Sequence, residues 1–170
     1  AHTVSLVVVV SNVIKRGKPL VGYGFNSIGR FAQRGILQDR MIPRVLDADP
    51  ALLCTADEAF YDPAAICTVA MKNEKPGGHG DRAGALAALE LAIWDLNAKL
   101  ADEPAWSRIA RCTGTTIERP EVPTYAAGGY YYSTDSLKRL KMELERYCDL
   151  GFDAFKIKIG GESLGADLER

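Results

Sequence analysis

The stretch AFKIKIGG at residues 154–161 alternates apolar Phe155, Ile157 and Ile159 with Lys156 and Lys158, and ends on Gly160–Gly161. Such alternation reads as a β-strand with both lysines on one face and Ile157 on the other. Upstream, residues 136–150 carry Leu137, Leu140, Leu144, Tyr147 and Cys148 at helical spacing, with Gly151 in the stop position. Residues 122–127 read as a short strand closed by Gly128–Gly129. Strand, helix and strand in this order require parallel pairing. Two parallel strands do not make a fold, because a parallel sheet needs more strands and cover on both faces. Only nine residues follow Gly161. The expectation is a chain incomplete at its C-terminal end. If the unit opens a (β/α) barrel of typically ~250 residues, most of that domain is missing. A swapped or oligomeric small domain is the alternative.

The N-terminal part has a different pattern. Residues 3–12 and 19–25 read as two strands joined by the turn Lys15–Arg16–Gly17–Lys18, followed by a polar loop over residues 26–34. A helical pattern runs through Ile36, Leu37, Met41, Val45 and Leu46 and is disturbed by Pro43. A less regular helical stretch covers residues 57–71, and KNEKPGGHG at residues 72–80 is a loop. Asp81 is placed to cap the clearest helix, which runs to about Leu100. Leu86, Leu89, Ile93, Leu96 and Leu100 give it one apolar stripe, and Ala85, Ala88 and Ala92 suit close packing. A hairpin followed by helices is an α+β pattern. The prolines at 120 and 123 mark a boundary between domains 1–120 and 121–170.

Composition narrows the function classes. Among 170 residues, 21 basic and 22 acidic side chains are well mixed, so no basic face emerges for nucleic acid. The apolar run at residues 4–10 is too short to span a bilayer and lacks the basic lead-in of a signal peptide. Cys54, Cys67, Cys112 and Cys148 include no C-x-x-C pair, and with only His2 and His79 beside them no zinc cluster follows from spacing. They read as reduced, mostly buried thiols of a cytoplasmic protein.

Lys156 and Lys158 carry the strongest chemical signal. With the apolar residues on the other face, the lysine face would be a barrel interior, where two ammonium groups are costly unless an anion meets them. A neighbouring cation and desolvation make an ammonium easier to deprotonate, which is how lysines become general bases. The C-terminal end of a barrel strand is also where such enzymes keep catalytic groups. On the tripeptide alone, the solvated face of an edge strand is the better reading. The strand–helix–strand context and the Gly–Gly that follows shift the reading toward chemistry.

Longer strings add to this. FKIKIGG at residues 155–161 and ALELAIWDLNAKL at residues 88–100 resemble the catalytic strand and the last capping-domain helix of the mandelate racemase and muconate-lactonizing branch of the enolase superfamily. VGYGFNSIGRF (21–31), NEKPGGHGDR (73–82) and YAAGGYYY (125–132) are similar to the tartrate-dehydrating members of that branch. Asp81 stands where a glutamate is usual and Ile157 where a methionine is usual.

The resemblance implies an α+β capping domain over residues 1–120, followed by the start of a modified (β/α)7β barrel. It implies dehydration of a hydroxy-diacid or acid sugar, tartrate to oxaloacetate in the first instance, with another sugar-acid dehydration or a racemisation as alternatives. Lys158 matches the base that removes the proton beside the substrate carboxylate, and Lys156 the lysine that assists and polarises. Lys75 matches a lysine that contacts the distal carboxylate. Asn26 and Arg30 fall where the capping domain reaches over the site. Arg30 suits bidentate pairing with a dicarboxylate, although a solvated surface arginine is the plainer reading. Of Tyr130, Tyr131 and Tyr132, one would line the pocket mouth, with Tyr130 the candidate, and the others would pack. His79 reads as a structural hydrogen-bonding residue, and Glu90 and Asp95, on the long helix, as salt-bridging ones. The implied cofactor is Mg2+, with ligands on later barrel strands, so no metal site is expected in this chain and the 170 residues alone are expected to be inactive. The implied partners are a small-molecule hydroxy acid and copies of the chain itself. The other class of reading is a non-catalytic binding or dimerisation module.

Overall fold

The computed structural model describes residues 4–26, 32–57, 59–75, 80–117 and 121–170. The chain divides into two compact units, residues 1–117 and 118–170.

The first unit is a hairpin packed on helices. Strands β1 (Ser5–Lys15) and β2 (Lys18–Asn26) pair antiparallel, with Lys15 opposite Lys18. Arg16 and Gly17 turn the chain with φ of 53° and 75°, the two left-handed residues of a tight hairpin turn. Both strands exceed the expected lengths at the turn end, because a bulge between Val10 and Ile14 lets β1 continue. Val7 and Ser11 face inward while Leu6, Val8 and Val10 face outward.

Helix α4 (Asp81–Ala101) lies against β2. A Cβ added at Gly22 would collide with the Ala92 carbonyl, and one at Gly24 with the Ala88 carbonyl. With Ala85, Ala88 and Ala92 fully buried, backbone meets backbone across this interface. Side chains of α4 then serve backbone groups of β2: Tyr23 N donates to Asp95 Oδ2 at 2.8 Å, and Lys99 Nζ donates to the Val21 carbonyl at 2.9 Å. Asp95 also pairs with Lys99, and Glu90 accepts from the Trp94 indole. Gly80, at φ 116°, is the cap residue of α4, and Asp81 is the first helical residue with no capping bond. Its charge still lies at the favourable end of the helix dipole.

The helical stretch around Pro43 runs as α1 (Gln33–Ile36), a π turn (Leu37–Met41) and α2 (Ile42–Leu46). Pro43 has no N–H for the ordinary i−4 bond, and the wider turn comes immediately before it. The expected irregular helix over residues 57–71 is confined to α3 (Pro63–Ala70), since Cys54 and Tyr61 form an antiparallel bridge instead. Asp62 caps α3 by accepting from Ala64 N and Ala65 N, with Pro63 at the first position. Helix α5 (Ala105–Thr113) ends at Gly114. Met41, Ile66, Ala70, Leu89 and Ile93 are central to the core.

The second unit is a parallel strand–helix–strand. Strand β3 (Ala126–Ala127) pairs with β4 (Phe155–Lys156). Ala126 N donates to the Ala154 carbonyl at 3.0 Å, Gly128 N to Lys156 at 3.0 Å, and Lys158 N to Gly129 at 3.2 Å. Helix α6 (Ser136–Asp149) connects the strands, and α7 (Leu164–Glu169) follows β4. The regular strands are shorter than the expected 122–127 and 154–159. Leu140 is buried, but Leu137 and Cys148 of the same stripe are exposed, because two short strands offer the helix little to cover it.

All four thiols are free. Cys112 and Cys148 are exposed and Cys54 and Cys67 half-buried, so the expectation of mostly buried thiols does not hold. Helices α5 and α6 turn those two cysteines outward. Among the described residues no helix is long and apolar enough to cross a membrane.

Candidate functional site

The end of β4 is built by its neighbours. Gly129, at φ 62°, lies so close to Ile157 that an added Cβ would sit 2.7 Å from the Ile157 Cβ. Phe155 stacks on Tyr147 of α6 with ring centroids 6.4 Å apart. Lys156 and Lys158 are exposed rather than enclosed. The Lys158 ammonium lies 5.5 Å from the centre of the Tyr130 ring, within reach of a cation–π attraction. Lys158 and Tyr130 are therefore brought together within this unit.

Both Gly–Gly turns beside this pair are held by carboxylates from the helices. Glu143 of α6 accepts from Gly129 N at 3.0 Å, from the Tyr132 hydroxyl at 2.8 Å and from the Tyr147 hydroxyl at 2.8 Å. Burial pushes the Glu143 pKa up, but the donors from Tyr147, Tyr132 and Gly129 outweigh it and leave the carboxyl below its ordinary range. The bond to Glu143, aided by burial, raises the phenol pKa of both Tyr132 and Tyr147. Asp167 of α7 accepts from the Tyr131 hydroxyl at 2.5 Å and from Gly160 N at 2.6 Å. Those two donors, Tyr131 first, hold its pKa low. Arg170 donates to the Gly129 carbonyl at 2.7 Å and to Ser136 Oγ at 3.0 Å.

The other candidates lie in the first unit. Lys75 is exposed, and its carbonyl accepts from Arg82 at 2.9 Å. Beside it, the Glu74 side chain is 2% exposed and is ringed by Arg40 at 2.6 Å, Arg44 at 2.9 Å and Arg82 at 3.4 Å. Asn26 is the last residue of β2 rather than part of the following loop, and its Nδ2 donates to the Gly84 carbonyl at 2.7 Å. That bond ties β2 to α4. Arg30 and His79 lie outside the described residues.

Four residues escaped the sequence reading. Glu143 lies three residues after Leu140 and four before Tyr147, so a carboxylate on the core side of α6 was a usable signal. The meeting of Tyr131 with Asp167 depends on how α7 returns to the end of β3, which spacing along the chain does not show. Gln33 is fully buried, and its amide has no hydrogen-bond partner among the described residues. It adjoins Gly84, where an added Cβ would strike the Gln33 amide and lie 2.9 Å from Asn26 Nδ2.

Among the described residues no three His, Cys, Asp or Glu side chains gather to hold a metal ion.

No protein-family model matches the chain. Over 94 residues, 55% of its length, the chain is 30% identical to the arabinonate dehydratase of Saccharolobus solfataricus. Over 94 residues it is 33% identical to the 3,6-anhydro-alpha-L-galactonate cycloisomerase of Streptomyces coelicolor. The matched stretches cover 24% and 23% of those proteins, so the chain spans about a quarter of the length of the curated relatives it matches.

Proposed function

We propose that these residues belong to a lyase of the enolase superfamily that dehydrates a sugar acid or hydroxy-diacid, with D-tartrate as the first substrate. The observation that carries the reading is Lys156-Ile157-Lys158 at the C-terminal end of a strand in a parallel strand–helix–strand unit, beside Tyr130. The two relatives support it, since one is named for dehydration of a sugar acid and the other for isomerisation of one. D-tartrate rests on the three strings at residues 21–31, 73–82 and 125–132, and on its likeness to D-tartrate dehydratase.

In this reading residues 1–120 are a capping domain and residues 121–170 open a (β/α)7β barrel. Lys158 takes the proton from the carbon next to a carboxylate, and Lys156 polarises the same group. The electron pair left behind expels the β-hydroxide, which leaves as water after protonation by a general acid. The resulting enol tautomerises to the α-keto acid, oxaloacetate for tartrate. The resemblance assigns contact with the distal carboxylate to Lys75 and further substrate contacts to Tyr130, Asn26 and Arg30. The magnesium ion implied by the resemblance would be held by residues outside these 170, and no step here passes through it. The protein acts in the cytoplasm on a small molecule and associates with its own copies.

The test is release of α-keto acid by the full-length gene product, with magnesium, from the three tartrates, arabinonate and other sugar acids. Release from D-tartrate alone supports the specific reading. Release from another acid only keeps the base and discards D-tartrate. The cycloisomerase relative favours a second reading, isomerisation, which would appear as isomeric product without keto acid. An intact gene product near 18.5 kDa would favour a non-catalytic module.

A further inference from the structure

The peptide groups that follow Lys158 end on one small network. Gly160 N donates to Asp167 Oδ2 at 2.6 Å, and Gly161 N donates to the Tyr131 hydroxyl at 2.9 Å. The same hydroxyl donates to Asp167 Oδ1 at 2.5 Å. Peptide N–H groups beyond a strand end have no ladder partner, so whatever accepts from them sets the direction in which the last strand residues leave the sheet. Gly160 makes this turn with φ 87°. At Gly161 an added Cβ would lie 2.6 Å from the Tyr131 ring, so the hydroxyl reaches this backbone only past a glycine. On the β3 side, the Gly129 carbonyl that accepts from Lys158 N is also held by Arg170, whose guanidinium lies 4.3 Å from the centre of the Tyr131 ring.

We propose that Asp167 is a positioning residue for Lys158, acting through the Gly160 peptide with Tyr131 as its second arm. The inference rests on the reading of Lys158 as the proton-abstracting base. Both Asp167 oxygens are already engaged by protein donors, so its effect on the reaction passes through the backbone. A general base must sit within hydrogen-bond reach of the proton it removes. A displacement of about 1 Å costs on the order of a hundredfold in rate. Loss of Asp167 therefore lowers turnover while leaving substrate affinity in place.

The experiment uses the full-length gene product with magnesium and D-tartrate, or the acid in the panel above that turns over fastest. Asp167→Ala is expected to lower kcat per folded molecule by at least about tenfold, hold KM within about threefold, and displace the acidic limb of the pH–rate profile, where the base must lose its proton. Asp167→Asn, which keeps an acceptor for Gly160, is expected to recover part of kcat. Wild-type kcat, KM and pH profile in Asp167→Ala overturn the proposal, as does a loss that merely tracks the folded fraction seen by circular dichroism. If Asp167→Ala does not fold, Tyr131→Phe decides on the same criteria. Lys158→Met separates the two readings. If it retains exchange of the substrate α-proton with solvent deuterium, the base assignment falls and the positioning role with it. If it loses exchange while the Asp167 variants behave as wild type, only the positioning role falls.

Discussion

Asn97 and the backbone of Tyr61 form a closed pair: Oδ1 accepts from Tyr61 N at 3.1 Å, and Nδ2 donates to the Tyr61 carbonyl at 2.8 Å. A side chain of α4 thus acts as a neighbouring strand for a residue that also forms an antiparallel bridge to Cys54. Asn97 is 2% exposed. Asn97→Ala leaves a donor and an acceptor without partners and is expected to destabilise the protein by about 2–6 kcal/mol, at roughly 1–3 per orphaned group. Asn97→Asp keeps the acceptor, loses the donor and buries a charge, so it is expected to be no better at neutral pH. Urea unfolding checks both, as a lower midpoint at unchanged slope.

The contact of β2 with α4 predicts a contrast between glycines. Gly22→Ala and Gly24→Ala each drive a methyl group into a carbonyl of α4, and a helix backbone cannot step aside as a flexible side chain can. Each is expected to cost at least the ~1–3 kcal/mol typical of an overpacked core. At Gly17 an added methyl meets nothing within 4 Å, and only the φ of 75° opposes it. Gly17→Ala is therefore expected to cost about 1–2 kcal/mol, the conformational penalty alone. Thermal melting of the three variants ranks them, and equal losses would contradict the close approach.

What was legible in the sequence shares one property: it depends on neighbours along the chain. The hairpin turn at Arg16–Gly17, the alanines of α4, the stop at Gly151 and the pairing role of Asp95 all follow from spacing. So does parallel pairing of β3 with β4. What was not legible depends on distant segments meeting. Asp81 looked like a cap, yet Gly80 holds that position because its φ of 116° suits only glycine. Lys156 ends β4, Lys158 lies two residues beyond it and keeps a single backbone bond to Gly129, and the two-stranded sheet encloses neither. Asp167 braces the Gly160 turn only through the way α7 meets it, whereas the place of Glu143 on the inner side of α6 follows from its spacing to Leu140 and Tyr147.

Glu74 predicts a pH dependence. Its carboxylate is ringed by Arg40, Arg44 and Arg82, and the bond from Arg44, followed by the charge of Arg40, keeps its pKa below the ordinary 4.5. A carboxyl whose pKa is lower in the folded state contributes stability above the unfolded value, and that stability is lost as pH falls through the folded value. Glu74→Gln is expected to melt below the wild type at pH 7. The gap should begin to shrink below about pH 4.5 and close once the folded carboxyl is protonated. A gap that stays constant down to acid pH would mean that the arginines respond to something other than this charge.

Cys67 predicts the opposite slope and a labelling order. Burial, with smaller contributions from the charges of Glu90 and Asp62, pushes its thiol up to about 11 from the ordinary 9.0. The thiolate is the reactive form, so Cys67 is expected to be slow toward a disulfide reagent at pH 8 while exposed Cys112 and Cys148 react first. The same shift bears on stability. Below pH 9 the thiol is neutral whether folded or unfolded, and folding suffers no penalty from it. As pH rises from about 9 toward 11 the unfolded chain releases the proton and the folded one retains it, so stability falls across that window. Cys67→Ala removes this titration and should flatten that part of the stability curve. Peptide mapping after timed labelling gives the order, and rapid labelling of Cys67 in the folded protein would show that its surroundings admit water and thiolate.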